Sequence, residues 1–229
     1  MKRSNWFVVL MMVTMVGFSQ GFARADAVEE ARQAASDAMD NCQAGEAGDA
    51  KEDAMDQSQI SSGAYTEGIQ RLASTVQRYN NLSAAPPAGL GPNQSVVDSL
   101  AEALSALDEA SDYLNNPEEG SADFIAFIAI GDIAYDDGST QRGYGESAYN
   151  SAQAIAGYPG SETVRIGLYN EAISYFNTAK NFFLIAIEAY NEARTQANNA
   201  AQAVANANGI LDELDDVLDA AERNGYWSL

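Results

Sequence analysis

The chain has 229 residues, with 33 Asp+Glu against 12 Lys+Arg, no His and one Cys. Its 46% hydrophobic content is enough for one domain with a real core and too high for a wholly disordered acidic chain. The missing His removes haem, most zinc and di-iron sites and any His-based triad, and a single Cys excludes an internal disulfide framework or an iron–sulfur cluster.

Lys2 and Arg3 precede an apolar run from Phe7 to Phe18, and Ala23-Arg24-Ala25 supplies small residues for cleavage. This three-part pattern predicts a signal peptide over 1–25, a mature chain from Asp26, and export to the periplasm, the cell surface or the medium. The run falls short of the roughly 20 residues that span a bilayer, so no stable membrane insertion is expected after cleavage. Cleavage would remove Lys2, Arg3 and Arg24 but no acid, leaving 9 basic against 33 acidic residues, a net charge of −24 over 204 residues. Such a surface repels nucleic acid and attracts cations or a basic partner.

Residues 26–229 read as one acidic helical-bundle domain. Val28, Ala31, Ala35, Ala38 and Cys42 fall at helical spacings, with Gly45 and Gly48 expected to interrupt. A second helix carries Tyr65, Ile69, Leu72, Val76 and Tyr79 on one face and ends in the loop of Pro86, Pro87, Gly89, Gly91 and Pro92. Ser95 is expected to cap a third helix, with the seam Val97, Leu100, Leu104, Leu107 and Leu114 and a stop at Asn115-Asn116-Pro117. The apolar segment Phe124 to Ile130 reads as a short helix, and Asp136 to Gly145 as a polar, glycine-rich loop. A further short helix is expected before Gly157-Tyr158-Pro159-Gly160.

The strongest regularity follows Ser161. Tyr169, Phe176, Phe183 and Tyr190 recur every seven residues, and three places after each stands Ala172, Ala179, Ala186 and Ala193; the pattern continues through Leu218 and Ala221. These are the two seam columns of a heptad, one bulky and one small. As one helix, Tyr169 to Ala221 would span about 80 Å, against about 43 Å across a compact domain of this size. Asn208-Gly209 is the natural place for a break, yet the seam stays in phase across it. The expected fold is all-α: an elongated antiparallel helical bundle with a long, continuous or merely bent, coiled-coil-like C-terminal helix. That helix ends in Asp212, Glu213, Asp215, Asp216 and Asp219, where its dipole is already negative, so divalent cations or a basic ligand would relieve it.

Catalytic constellations are sparse. Cys42 lacks a His base, which leaves it as a packing residue or an intermolecular disulfide point. Asp132, Asp136, Asp137 and Gly138 approach a calcium loop in composition but not in ligand spacing. Glu146-Ser147-Ala148-Tyr149-Asn150 resembles the Glu-Ser-x-aromatic-Asn start of lysozyme-like lytic transglycosylases, and Ala189-Tyr190-Asn191 is similar to part of a second motif of that family. The resemblance implies Glu146 as a general acid/base on peptidoglycan. It covers some eight residues and lacks the Gly-Leu-Met-Gln stretch between the motifs. The sequence therefore leads to an exported, non-enzymatic structural, assembly or scaffold protein without cofactor or resident metal, acting on itself or on another envelope protein. A soluble periplasmic module holding cations or a basic ligand on its acidic face is the alternative.

Overall fold

The computed structural model describes residues 24–84, 90–115 and 124–227. The expected signal segment up to residue 23, the prolines at 86 and 87 and the stretch 116–123 lie outside the described residues. Helix covers 24–40 (α1), Ala44–Ala84 (α2), Gln94–Asn115 (α3), Phe124–Ala154 (α4) and Glu162–Asn224 (α5), and the described residues contain no strand. The protein is an all-α helical bundle whose long C-terminal helix packs against the others.

α5 runs 63 residues without a break at Gly209. An interior glycine costs a helix about 1 kcal/mol. Here Val204, Ala207 and Leu211 on either side are buried in one core cluster, and that packing holds the turn helical.

Three expected boundaries move. The break between α1 and α2 falls at 41–43 rather than at Gly45 and Gly48. Gln43 takes φ 63 and its carbonyl accepts the Ala47 N–H at 3.1 Å, so Gly45 lies in the opening turn of α2, where backbone pairing is incomplete in any case, and Gly48 in the turn that follows. α3 is capped by Asn93 and not by Ser95: Asn93 Oδ1 accepts the N–H groups of Ser95 and Val96 at 3.0 and 3.3 Å. The α3 seam is Val96, Leu100, Ala103, Leu107, Ala110 and Leu114, while Val97 and Leu104 are 39% and 44% exposed. Bulk misleads there, because small Ala103 and Ala110 take inner positions and Leu107 packs onto Gly68.

The third correction is the largest. Phe124 to Ala154 is one helix, so the expected loop Asp136–Gly145 is helical throughout. Gly131, Gly138 and Gly145 are spaced by seven and form a face, not a turn. A Cβ built on them would stand 2.3 Å from Tyr190, 2.9 Å from Phe183 and 2.6 Å from Phe176 respectively. Real Cβ atoms do not approach that closely, so only glycine admits these rings against the helix backbone. Ring burial offsets the propensity cost that made the segment read as a loop.

The described residues divide into two compact units. One comprises 24–47 with 133–186. In it α4 and α5 pair antiparallel, since the contacts Gly138/Phe183 and Gly145/Phe176 step by seven in opposite directions. Val28, Ala35, Ala148, Ala152, Tyr169, Ala172 and Phe176 form its core, with Tyr149 edge-on to Tyr169 at 5.4 Å between ring centroids. The turn at 155–161 closes the α4–α5 hairpin, with Gly160 at φ 77.

The other unit comprises 48–132 with 187–227. Here α2 runs parallel to α5: the ion pairs Asp53–Arg194, Arg71–Asp212 and Arg78–Asp219 each join residues 141 apart, a constant offset that only parallel helices give. α3 returns between them, and Leu72, Tyr79, Leu100, Leu107, Val204, Leu211, Leu214 and Leu218 fill the core.

Candidate functional site

All eight seam residues singled out from the sequence are fully buried. Tyr169, Ala172, Phe176, Ala179, Phe183 and Ala186 lie in the first unit and Tyr190 and Ala193 in the second, each 0% exposed. The seam is therefore occupied within the single chain. Surfaces left for a partner are of another kind: Ile133, Leu184 and Ile185 are exposed in the first unit, Ile125 and Ile130 in the second.

In the second unit three helices meet at a polar node. Tyr190 on α5 donates its hydroxyl to Asp132 Oδ1 on α4 at 2.7 Å, and Lys51 on α2 reaches the same oxygen at 2.7 Å while lying 6.0 Å from the Tyr190 ring centre. Burial alone would raise the Asp132 carboxyl, but the Lys51 ammonium and the Tyr190 hydroxyl outweigh it and hold the group below the usual carboxylate value. The node can fix a charge and a ring. It offers no base free to act on a substrate.

The acidic end of α5 is answered from within the chain. Arg71 pairs with Asp212 and Asp215 at 2.5 and 2.8 Å, and Arg78, one heptad further along α2, pairs with Asp215, Asp219 and Glu222. Hydrogen bonds from Arg78 hold the Asp219 and Glu222 carboxyls below their ordinary values of 3.8 and 4.5. Glu213 and Asp216 stand outside these pairs. The partners of this acidic end lie 137–144 residues upstream, and only the spacing of seven between Arg71 and Arg78 hinted at them.

Carboxylates with lowered values bind fewer protons folded than unfolded, so their stabilisation is present above pH ~4.5 and lost as pH falls through the folded values. Arg78→Gln is expected to lower the urea midpoint at pH 7 and to flatten the fall in stability between about pH 4.5 and 2. Urea titrations of both chains across that range check it; an unchanged pH slope would remove the clasp from the account.

Glu146 is half-exposed on α4 and paired with Arg142 one turn earlier at 3.0 Å, rather than enclosed in an apolar pocket. Cys42 is 3% exposed at the α1–α2 junction, a packing position. Among the described residues no three Cys, Asp or Glu side chains converge as a metal site, and no helix is long and apolar enough to cross a membrane. Comparison with known protein families, with curated proteins and with solved structures gives no match to this chain.

Proposed function

We propose that this chain is an exported, non-enzymatic structural or scaffold protein that acts through its packed helices and docks on a second copy or on another envelope protein. The observation that supports this reading is the complete burial of the ring-and-alanine seam of α5, with Phe176, Phe183 and Tyr190 each matched to a glycine on α4. A chain that commits its aromatic residues to stiffening one long helix is built to hold a geometry. Its exposed isoleucines and leucines remain for docking. Light scattering coupled to size exclusion tests the proposal: the mature chain is expected to elute as an oligomer at physiological salt, with or without divalent ions. A monomer at every ionic strength counts against self-assembly.

The alternative, a periplasmic binding module for cations or a basic ligand, draws support from one place. Glu213 lines an open groove of about 200 Å³ with Ser95 and Ser99, clear of the two arginines. Calorimetric titration with calcium and with a polycation separates the two readings. Heat that survives moderate salt favours binding over scaffolding.

A further inference from the structure

Glu213 shares its groove with apolar residues. Ser95 and Ser99 of α3 and Ile210 and Val217 of α5 line it above buried Val96 and Leu214. Leu107 and Val204 both pack onto Gly68, so α3 runs antiparallel to α5 and the two edges continue together. Beyond Ser99, at steps of seven, stand half-buried Ala106 and Tyr113, packed on the same core as Ile210 and Val217. Beyond Ser95, at the same steps, stand exposed Glu102 and Glu109. The strip is apolar along its floor and acidic along its rims. Its open volume of about 200 Å³ falls below the roughly 300 Å³ of the smallest ligand pockets, but it seats one bulky apolar side chain.

The other flank of α5 shows what such an edge takes. There Arg71 and Arg78, seven apart on α2, pair with Asp212, Asp215, Asp219 and Glu222. On the α3 flank nothing plays that part: α3 holds no Lys or Arg, and neither does α5 from Thr195 to Glu222. Among the described residues Glu102, Glu109 and Glu213 enter no ion pair. A metal ion would leave Ile210 and Val217 wet. A helix laid between α3 and α5 covers them with its own apolar residues and carries cations to both rims. Cations seven apart on it match Glu102 and Glu109, which are two turns or about 10 Å apart. A second copy has no such pair to give. Of the nine cations from Asp26 onward, six are held in ion pairs, and no two of the rest, Arg165, Lys180 and Arg223, are seven apart.

We infer that the α3–α5 groove is a docking site for a basic amphipathic helix of another protein. Its apolar residues settle on Ile210 and Val217, while its lysine or arginine side chains reach Glu102, Glu109 and Glu213. The inference deepens the scaffold reading above and rests on it, since it states the chemistry of the partner. The acidic surface speeds the encounter, and the groove supplies the selection.

Binding of a labelled synthetic peptide to the full mature chain tests this. The probe is about 18 residues long, enough to form a helix, with leucine at i, i+3, i+4 and i+7 and lysine elsewhere. A shuffled peptide of the same composition, without that spacing, is the control. At physiological salt the helical peptide is expected to bind one to one, and the shuffled peptide about tenfold more weakly. Glu102→Lys/Glu213→Lys is expected to weaken binding about tenfold or more, because two attractions become repulsions. Asp136→Lys/Asp137→Lys, the same charge change at exposed positions on α4, should stay within about twofold of the parent. All four substitutions fall on exposed residues, so helicity by circular dichroism should be retained. Equal binding of both peptides, or equal weakening by both variants, reduces the site to bulk acidity and overturns the inference. Displacement of the peptide by calcium, beyond the effect of sodium chloride at equal ionic strength, also overturns it and gives the groove to cations. Break-up of an oligomer by the peptide overturns it too and gives the groove to a second copy. An oligomer that binds no peptide removes this inference alone, and a monomer that binds it removes self-assembly alone.

Discussion

Gly131→Ala is expected to destabilise the protein by about 3 kcal/mol, although the same exchange at Gly143 in the same helix is expected to stabilise it by about 1 kcal/mol. The two sites differ only in what a methyl group would meet. At Gly131 it would stand 2.3 Å from Tyr190 Cε1, inside a ring that is 0% exposed, held by Asp132 and unable to retreat. At Gly143 nothing lies within 4 Å, so the exchange gains the ordinary helix propensity of Ala and nothing opposes it. Gly145→Ala, with Phe176 at 2.6 Å, should fall on the destabilising side for the same reason. Urea midpoints for the three variants give the answer directly. A stabilising effect at all three would mean that the rings do not press on the α4 backbone and that the glycines are incidental.

That contrast also explains what was legible in the sequence. The α5 seam could be read because bulky and small residues alternate at fixed heptad positions, a pattern that local chemistry does not imitate. Its persistence across Asn208-Gly209 outweighed the local turn signal, and the helix is continuous. The α4 face was hidden by the same residues that make it. Gly138, Gly143 and Gly145 beside Asp136 and Asp137 look like a loop when judged one at a time, because helix propensity counts only what glycine loses. What glycine permits, a ring lying on the backbone, depends on the facing helix. The spacing of Gly131, Gly138 and Gly145 was the available signal, and it matched the spacing of Phe176, Phe183 and Tyr190.

Charge was less legible than size. Asp212 to Glu222 read as an unrelieved acidic end because its counter-charges are remote in sequence. Arg71 and Arg78 become its partners only once α2 runs parallel to α5, and no local rule sets helix direction. Asp132 shows the same limit: it stood out in the sequence as part of a poor calcium loop, whereas its role depends on Tyr190 and Lys51, from two other helices.

Phe183→Ala is expected to cost about 3–5 kcal/mol. Phe183 is 0% exposed, lies on the backbone of Gly138, and meets the edge of Tyr135 at 5.4 Å between ring centroids. Removing it leaves a void with a bare glycine on the far side, and a residue without a side chain cannot move in to fill it. Leu184→Ala, next in the chain and 44% exposed, should change stability by under about 0.5 kcal/mol. The decisive measurement is the compensating pair. Gly138→Leu alone should destabilise by overpacking, with a Cβ 2.9 Å from the ring. In Phe183→Ala/Gly138→Leu the new side chain enters the vacated space, so the double variant should be more stable than the sum of the two losses predicts by about 1–3 kcal/mol. Strict additivity would show that ring and glycine do not share one space, and the complementarity assigned to the two helices would fail with it.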